Sequence, residues 1–262
     1  MTVFGVSMVR DEADVIAGTL RHMADEVDYI IVADNGSTDG TRDILYDLAG
    51  QLPLMVLEDP ETGYFQSEKM TALASAAADQ GAEWIVPFDA DELWVWNGDT
   101  IRNELAAREC NVIHAHLYNH FPTAVDIDDP DPFRSIIWRQ TSPGALPKVA
   151  FRWERGAVVH QGNHGVTLPS KMSVDQGLEI RHFPYRSAEQ FVRKARNGAE
   201  AYKATDLPVE VGAHWRSYGD ILERHGEQVL VDEVFRRWFW AVSPVDMGWI
   251  PDPAPYMRWQ RQ

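Results

Sequence analysis

Trp84-Ile85-Val86-Pro87-Phe88-Asp89-Ala90-Asp91 is the stretch on which the fold turns. An apolar run ends in two carboxylates separated by one residue. The run reads as a buried strand that breaks the surface at Asp89, and alternate residues of an extended chain project to one side. Carboxylates so placed can hold a hard divalent cation. Moving outward, the same pattern recurs three times towards the N-terminus. Residues 3–9 read as a buried strand followed by Arg10-Asp11-Glu12. Residues 28–33 read as a second strand, ending in Asp34-Asn35-Gly36-Ser37-Thr38-Asp39-Gly40-Thr41. Residues 54–57 read as a third, ending in Glu58-Asp59. Helical spacing fills the gaps: Ile16, Leu20 and Met23 form one stripe within 13–26, Ile44, Leu45 and Leu48 follow the eight-residue loop, and 67–80 is alanine-rich and closed by Gly81. A β-α-β-α-β-α-β order predicts an α/β fold with a mainly parallel sheet flanked by helices. Ligands of such sheets bind at the carboxyl ends of strands, which here carry the acids.

Past Asp91 the pattern changes. Residues 111–121 alternate like a strand with His114, His116 and His120 in phase, read as its polar face. Strands are predicted in 148–160 and 178–183, and a basic helix over 187–205. From Gly212 onward a helical tail is rich in aromatic residues, and 243–255 is a proline-rich extension expected to pack on the body. This divides the chain into a first half, 1–110, a second part, 111–210, that completes the site, and a C-terminal extension, 211–262.

The 262 residues carry a net charge of −16, unevenly placed. Residues 1–100 hold 4 Lys and Arg against 20 Asp and Glu, whereas residues 134–203 hold 12 against 5, a local excess of +7. That balance argues against non-specific duplex binding, which needs an extended positive surface. It suits a metal site facing a groove that attracts anions. No apolar stretch reaches the roughly 18–20 residues of a membrane span, and the single cysteine, Cys110, excludes an internal disulfide. A cytoplasmic protein is therefore expected. Neither G-x-G-x-x-G after the first strand nor G-x-x-x-x-G-K-[ST] occurs, which removes support for the common dinucleotide and P-loop readings.

Val9-Arg10-Asp11-Glu12-Ala13-Asp14, the loop from Asp34 to Thr41, and Phe88-Asp89-Ala90-Asp91-Glu92 together resemble the successive motifs of glycosyltransferase family 2. Residues 178–187, Leu-Glu-Ile-Arg-His-Phe-Pro-Tyr-Arg-Ser, resemble a later stretch in a bacterial or phage branch of that family. The resemblance implies a GT-A fold, a nucleoside-diphosphate sugar donor (UDP- or GDP-sugar), a divalent cofactor (Mn2+ or Mg2+) and an inverting transfer to a hydroxyl. It also implies roles. Asp34 or Asn35 would face the nucleobase, Asp89 the ribose and the metal, and Asp91 the metal directly. Arg10, Glu12 and Lys69 would lie near the donor.

A third metal ligand in such folds is often a histidine. His182 is the choice here, with His160 and His164 as rivals. Lys148, Arg152, Arg186 and Arg193 could add positive charge around the diphosphate. The acidic doublet that usually supplies the general base is missing, which leaves Glu154, Asp175, Glu179 and His164 as candidates. Competing readings are a nucleotidyltransferase or pyrophosphorylase, weakened by the lack of a glycine- and basic-rich loop after the first strand, and a non-catalytic nucleotide-sugar-binding module. The acceptor is open among a glycan, a small molecule, a protein side chain and a modified nucleobase.

Overall fold

The computed structural model describes residues 1–61, 63–96 and 99–253. The first four strands are β1 (Val3–Val9), β2 (Tyr29–Asp34), β3 (Leu54–Glu58) and β4 (Trp84–Pro87), with helices α1 (Ile16–Glu26), α2 (Thr41–Ala49) and α3 (Gln66–Asp79) between them. β3, β2, β1 and β4 pair side by side and all parallel, so every loop leaving a carboxyl end opens on one edge. The expected α/β class and the order of these elements are borne out.

Their burial explains the apolar runs. Alternate residues of β2 point to opposite layers: Ile30 and Val32 join Ile16, Leu20 and Met23 of α1, whereas Ile31 and Ala33 join Met70, Leu73 and Ala77 of α3. Covered on both faces, such strands have no polar side to present. Each fully buried Val, Leu or Ile contributes about 1.5–3 kcal/mol through area removed from water.

The remaining half extends the same sheet. A short β5 (Glu92–Val95), a helix α4 (Ile101–Ala107) and β6 (Val112–Asn119) follow. The strand Lys148–Arg152 lies antiparallel between β4 and β6, and the strand Val174–His182 runs parallel to β6 and antiparallel to β5. The eight-stranded sheet is thus continuous across residue 110, the boundary expected from sequence. Neither β5 nor α4 was expected. β5 matters because its register sets His182 opposite Glu92, beside the paired aspartates.

The basic helix occupies Ala188–Lys203 and is followed by the helix Ala213–His225. Most of the aromatic tail is core: Phe191, Phe235, Phe239 and Tyr185 cluster with Phe121 and Trp249. The proline-rich extension is tied down through Ile250–Pro251, which pairs with Trp138–Arg139, and through Asp252, which takes Arg139 at 2.5 Å. Residues 254 and 255 of that extension lie outside the described residues. No helix among the described residues is long and apolar enough to cross a membrane.

The histidine trio departs from expectation. His114 and His116 stand half-buried on β6, but His120 lies one residue past its end and is fully buried, stacked on Phe183 with centroids 4.5 Å apart. Its Nδ1 meets Ile136 O at 3.2 Å. Phase along the strand ceases to decide side-chain direction where the strand stops.

Burial pushes His120 from 6.5 down to about 3. The unfolded chain therefore takes up a proton as pH falls through 6.5, while the folded chain resists until about 3. Stability is lost across that window, by up to about 1.4 kcal/mol per pH unit from this group. In His120→Leu the urea midpoint should depend less on pH between those limits. An unchanged slope would refute the assignment.

Candidate active site

The loop after β1 carries the first acids, and the backbone there is strained. Asp11 adopts φ 55°, a left-handed conformation that side chains other than glycine seldom take without a local reason. The reason is an interlock with the loop after β2. Asp11 N donates to Ser37 Oγ at 3.0 Å, Thr38 N donates to Asp11 Oδ1 at 2.7 Å, Glu12 N donates to Thr41 Oγ1 at 2.8 Å and Ala13 N donates to Asp39 Oδ2 at 3.1 Å. Much of the distinctive eight-residue loop thus serves to hold the Asp11-Glu12 turn. Asp34 itself is 1% exposed, accepts from Ser37 N, and is held by Arg42 Nε at 2.8 Å.

Two lysines and an arginine converge on the acids. Arg186, almost fully buried, donates to Glu12, to Asp14 (2.7 Å from Nε) and approaches Asp91 at 3.8 Å. Lys194 of the helix Ala188–Lys203 bridges Asp91 and Glu12. Lys148 reaches Asp89 at 2.5 Å and Glu92 at 3.0 Å. Burial works against ionising Asp91, but Lys194, His182 and Arg186 outweigh it and hold the carboxyl well below the usual range. Glu92, fully buried, is pushed up to about 7 by desolvation, with Asp89 and Asp91 adding to the effect against the pull of Lys148. Lys148 is conversely held protonated by its two carboxylates despite its burial.

His182 ends its strand beside this cluster. Its Nδ1 lies 2.7 Å from Asn119 Oδ1, which accepts only, so the proton sits on Nδ1 and Nε2 keeps its lone pair. Burial lowers the ring to about 4, so it is neutral near pH 7. Nε2 faces Asp91 Oδ1 at 3.7 Å, two lone-pair donors across a short gap.

The His160–Gly165 loop forms the opposite wall. Asn163, fully buried at φ 58°, donates from Nδ2 to Asp89 Oδ1 at 3.0 Å. Nδ1 of His164 meets Pro147 O at 2.9 Å, which again leaves Nε2 unprotonated, and burial together with Lys148 lowers the ring below 6.5. A glycine precedes it for a steric reason: at Gly162, φ 72°, a Cβ would stand 2.4 Å from Cδ2 of His164.

Glu12, Asp89, Asp91, Lys148, His164, His182 and Lys194 line one cavity of about 660 Å³ at the carboxyl ends of β1 and β4. Arg10, Glu12, Asn35, Asp89, Asp91, His164 and His182, all expected from sequence, are brought together in it. Asp34 and Lys69 are not among its lining residues; Lys69 pairs with Asp59 at 2.6 Å. Glu154 is turned to other work, accepting from Ser170 N at 3.0 Å, and Asp175 and Glu179 pair with Arg108 and Arg181. His160 lies in the same loop as His164 but bonds Thr167 Oγ1 at 2.8 Å. Sequence reasoning missed Lys194, Asn163, Asn119 and the rings Tyr64 and Tyr202. A trace was present for one of them: Gln190, Lys194, Asn197 and Ala201 recur at four, three and four residues along a single helix face.

Residues 6–99 match the model of glycosyl transferase family 2, which bears out the resemblance carried by the motifs. A TPR repeat-containing protein of Synechococcus elongatus is 35% identical over 85 residues, a match that spans 32% of this chain and only 19% of that protein. Among solved structures, residues 1–349 of S. aureus TarS are 15% identical, with a TM-score of 0.42 over 89% of this chain and 75% of that one. GalNAc-T7 with UDP, GalNAc and Mn2+ is 11% identical, with a TM-score of 0.39 over 88% and 58% of the two chains.

Removing Arg186 takes one of two shared cations from the buried Glu12 and Asp91, a change that costs about 3–5 kcal/mol for a broken buried pair. Arg186→Met should lose stability of that order in urea unfolding. Wild-type stability would show that the cluster does not depend on it.

Proposed function

We propose that this chain is a metal-dependent glycosyltransferase that moves a sugar from a UDP- or GDP-sugar to a hydroxyl acceptor, with inversion. The observation that carries the reading is the single cavity in which the paired aspartates, an imidazole with a free Nε2 and the Arg10 guanidinium converge at the carboxyl ends of β1 and β4. Nε of Arg10 is buried and has no hydrogen-bond partner among the described residues, which suits a group that waits for an oxyanion.

The donor set fits Mn2+ or Mg2+ by chemistry. Asp91 offers carboxylate oxygens and His182 a neutral imidazole fixed by Asn119, the outer partner that orients a ligating histidine. Asp89 is occupied by Lys148 and Asn163 and Asp91 by Lys194, and no group of three such donors is assembled among the described residues. Following the resemblance, Asp91 and His182 would hold the ion directly once Lys194 gives way, and Asp89 would be a ribose or water-mediated partner. A bound divalent ion would supply Lewis-acid neutralisation of the leaving diphosphate.

The protein's own groups do the rest. Arg10, Lys148 and Lys194 surround the diphosphate position with fixed positive charge in a partly desolvated site. His164 Nε2, unprotonated and facing the cavity, takes the acceptor hydroxyl proton as the oxygen attacks the anomeric carbon. The bond from that carbon to the diphosphate breaks, and its electron pair leaves with the phosphate oxygen.

Two outcomes test this. By calorimetry, UDP or GDP should bind more tightly with Mn2+ than without, and Asp91→Ala should abolish the metal-dependent increment; an unaltered increment removes the central assignment. Hydrolysis of the correct nucleotide sugar should fall about 10²–10⁴-fold in His164→Gln. Because His164 acts when neutral and its pKa lies below 6.5, the wild-type rate should hold as pH drops to 6.5 and decline only below it. The variant should lack that acid limb.

A further inference from the structure

Asp91 is answered by two cations that differ in kind. The side chain of Arg186 is 2% exposed and is not part of the cavity wall. Its guanidinium is fixed by Glu12, by Asp14 (2.7 Å from Nε and 2.8 Å from Nη2) and by Phe183 O at 3.0 Å. It approaches Asp91 only to 3.8 Å. Lys194 is 25% exposed and lines the cavity, where its ammonium meets Asp91 Oδ2 and, at 3.2 Å, Glu12 Oε1.

Lys194 thus stands on a carboxylate that a divalent ion needs. Oδ1 of Asp91 faces His182 Nε2 at 3.7 Å, and Oδ2 carries the ammonium. An ion taken up between Asp91 and His182 arrives with two positive charges beside a third. Like charges at such range repel strongly in a partly desolvated site. The ammonium and the ion compete for one side chain.

A lysine can give way where this arginine cannot. Its ammonium is a compact charge on a flexible four-carbon stem, free to change partners without a change of fold. The cavity also offers it a destination, the diphosphate position beside Arg10 and Lys148. Exchange there leaves every charge answered. Asp91 passes to the ion, Glu12 stays with Arg186, and Lys194 passes to a phosphate oxygen. Without a diphosphate, the displaced ammonium gives up a buried carboxylate for solvent, and the ion must enter against that loss.

We infer that Lys194 is a built-in rival of the divalent ion, which holds Asp91 until a nucleoside diphosphate draws it away. The ion and the diphosphate then enter as a pair, each tightening the other by the same factor. The inference rests on the glycosyltransferase reading and names how that same site is controlled. Titration of the full chain with Mn2+ tests it, the free ion being read by its EPR signal. Mn2+ is added alone and with UDP or GDP, and the ion that each nucleotide holds by itself is subtracted.

Lys194→Met should bind Mn2+ alone about tenfold or more tightly than wild type, and the gain that nucleotide brings should shrink by a similar factor. Lys194→Gln drops the charge but keeps a donor for Asp91. It should act alike, and it answers the question should the methionine variant fail to fold. Arg193→Met removes the same charge from the neighbouring residue, whose guanidinium meets Asp11 O and Asp39. Its effect on Mn2+ should stay within about twofold, as screened charge alone would give. Unchanged Mn2+ affinity in the Lys194 variants, or an equal gain in Arg193→Met, would overturn the proposal. Wild-type chain that takes Mn2+ with neither nucleotide overturns the metal reading and this inference with it. Wild-type chain that takes Mn2+ with a nucleotide, while the Lys194 variants keep the full gain, overturns this inference alone.

Discussion

The structure depends on a neutralisation carried out across the length of the chain. The acids at the ends of β1 and β4 come from a segment with almost no positive charge of its own, and they lie close together because parallel strands deliver their carboxyl ends to one edge. Left unpaired, the buried Glu12, Asp91 and Glu92 and the half-buried Asp89 would repel one another in a poor dielectric. Lys148, Arg186 and Lys194 answer them from a segment that carries the opposite excess. The uneven charge read from sequence is therefore an internal complement as well as a surface field. It also fixes where the helix Ala188–Lys203 must dock.

The site gains rigidity from the same arrangement. Asp11 is bonded by Ser37, Thr38 and Asn197, so its left-handed backbone is over-determined from one loop and a helix. Asn163 repeats the device on the opposite wall, at positive φ with its amide on Asp89. Two non-glycine residues held in this costly conformation flank the paired aspartates. Strain kept in place by surrounding hydrogen bonds suits a catalytic centre that gains from being organised before substrate arrives.

How much of this was legible depends on the distance over which each feature is decided. The four parallel strands were readable because burial on both faces leaves continuous apolar runs, and the acidic loops were readable because turn and cap residues act locally. β5 was missed because Glu92-Leu93-Trp94-Val95 is short and follows a motif read as a loop, and only pairing with Val174–His182 makes it a strand. His182 was reached through a resemblance, and its fitness comes from Asn119, 63 residues away in sequence. Asp34 was given a ligand role that its bond to Arg42 and its burial do not favour. The basic helix was legible as basic, but which of its cations faces inward was set by the acids it meets.

One helix gives the cavity both charged and aromatic lining. Arg193, Lys194 and Asn197 of Ala188–Lys203 hold the loop after β1 and Asp91, and one turn further on Gly198, Ala201 and Tyr202 form part of the aromatic lining. A helix rises about 1.5 Å per residue, so the charged and aromatic contacts lie within about two turns of each other on one rigid rod. Whatever draws Lys194 from Asp91, an arriving diphosphate included, acts on the element that also carries Tyr202 and seats Trp215 against Gly198. The helix cannot move at one end alone, because Phe191, Val192 and Ala195 are packed in the aromatic core on its other face. The geometry of the aromatic lining is in this way tied to the charges around Asp91.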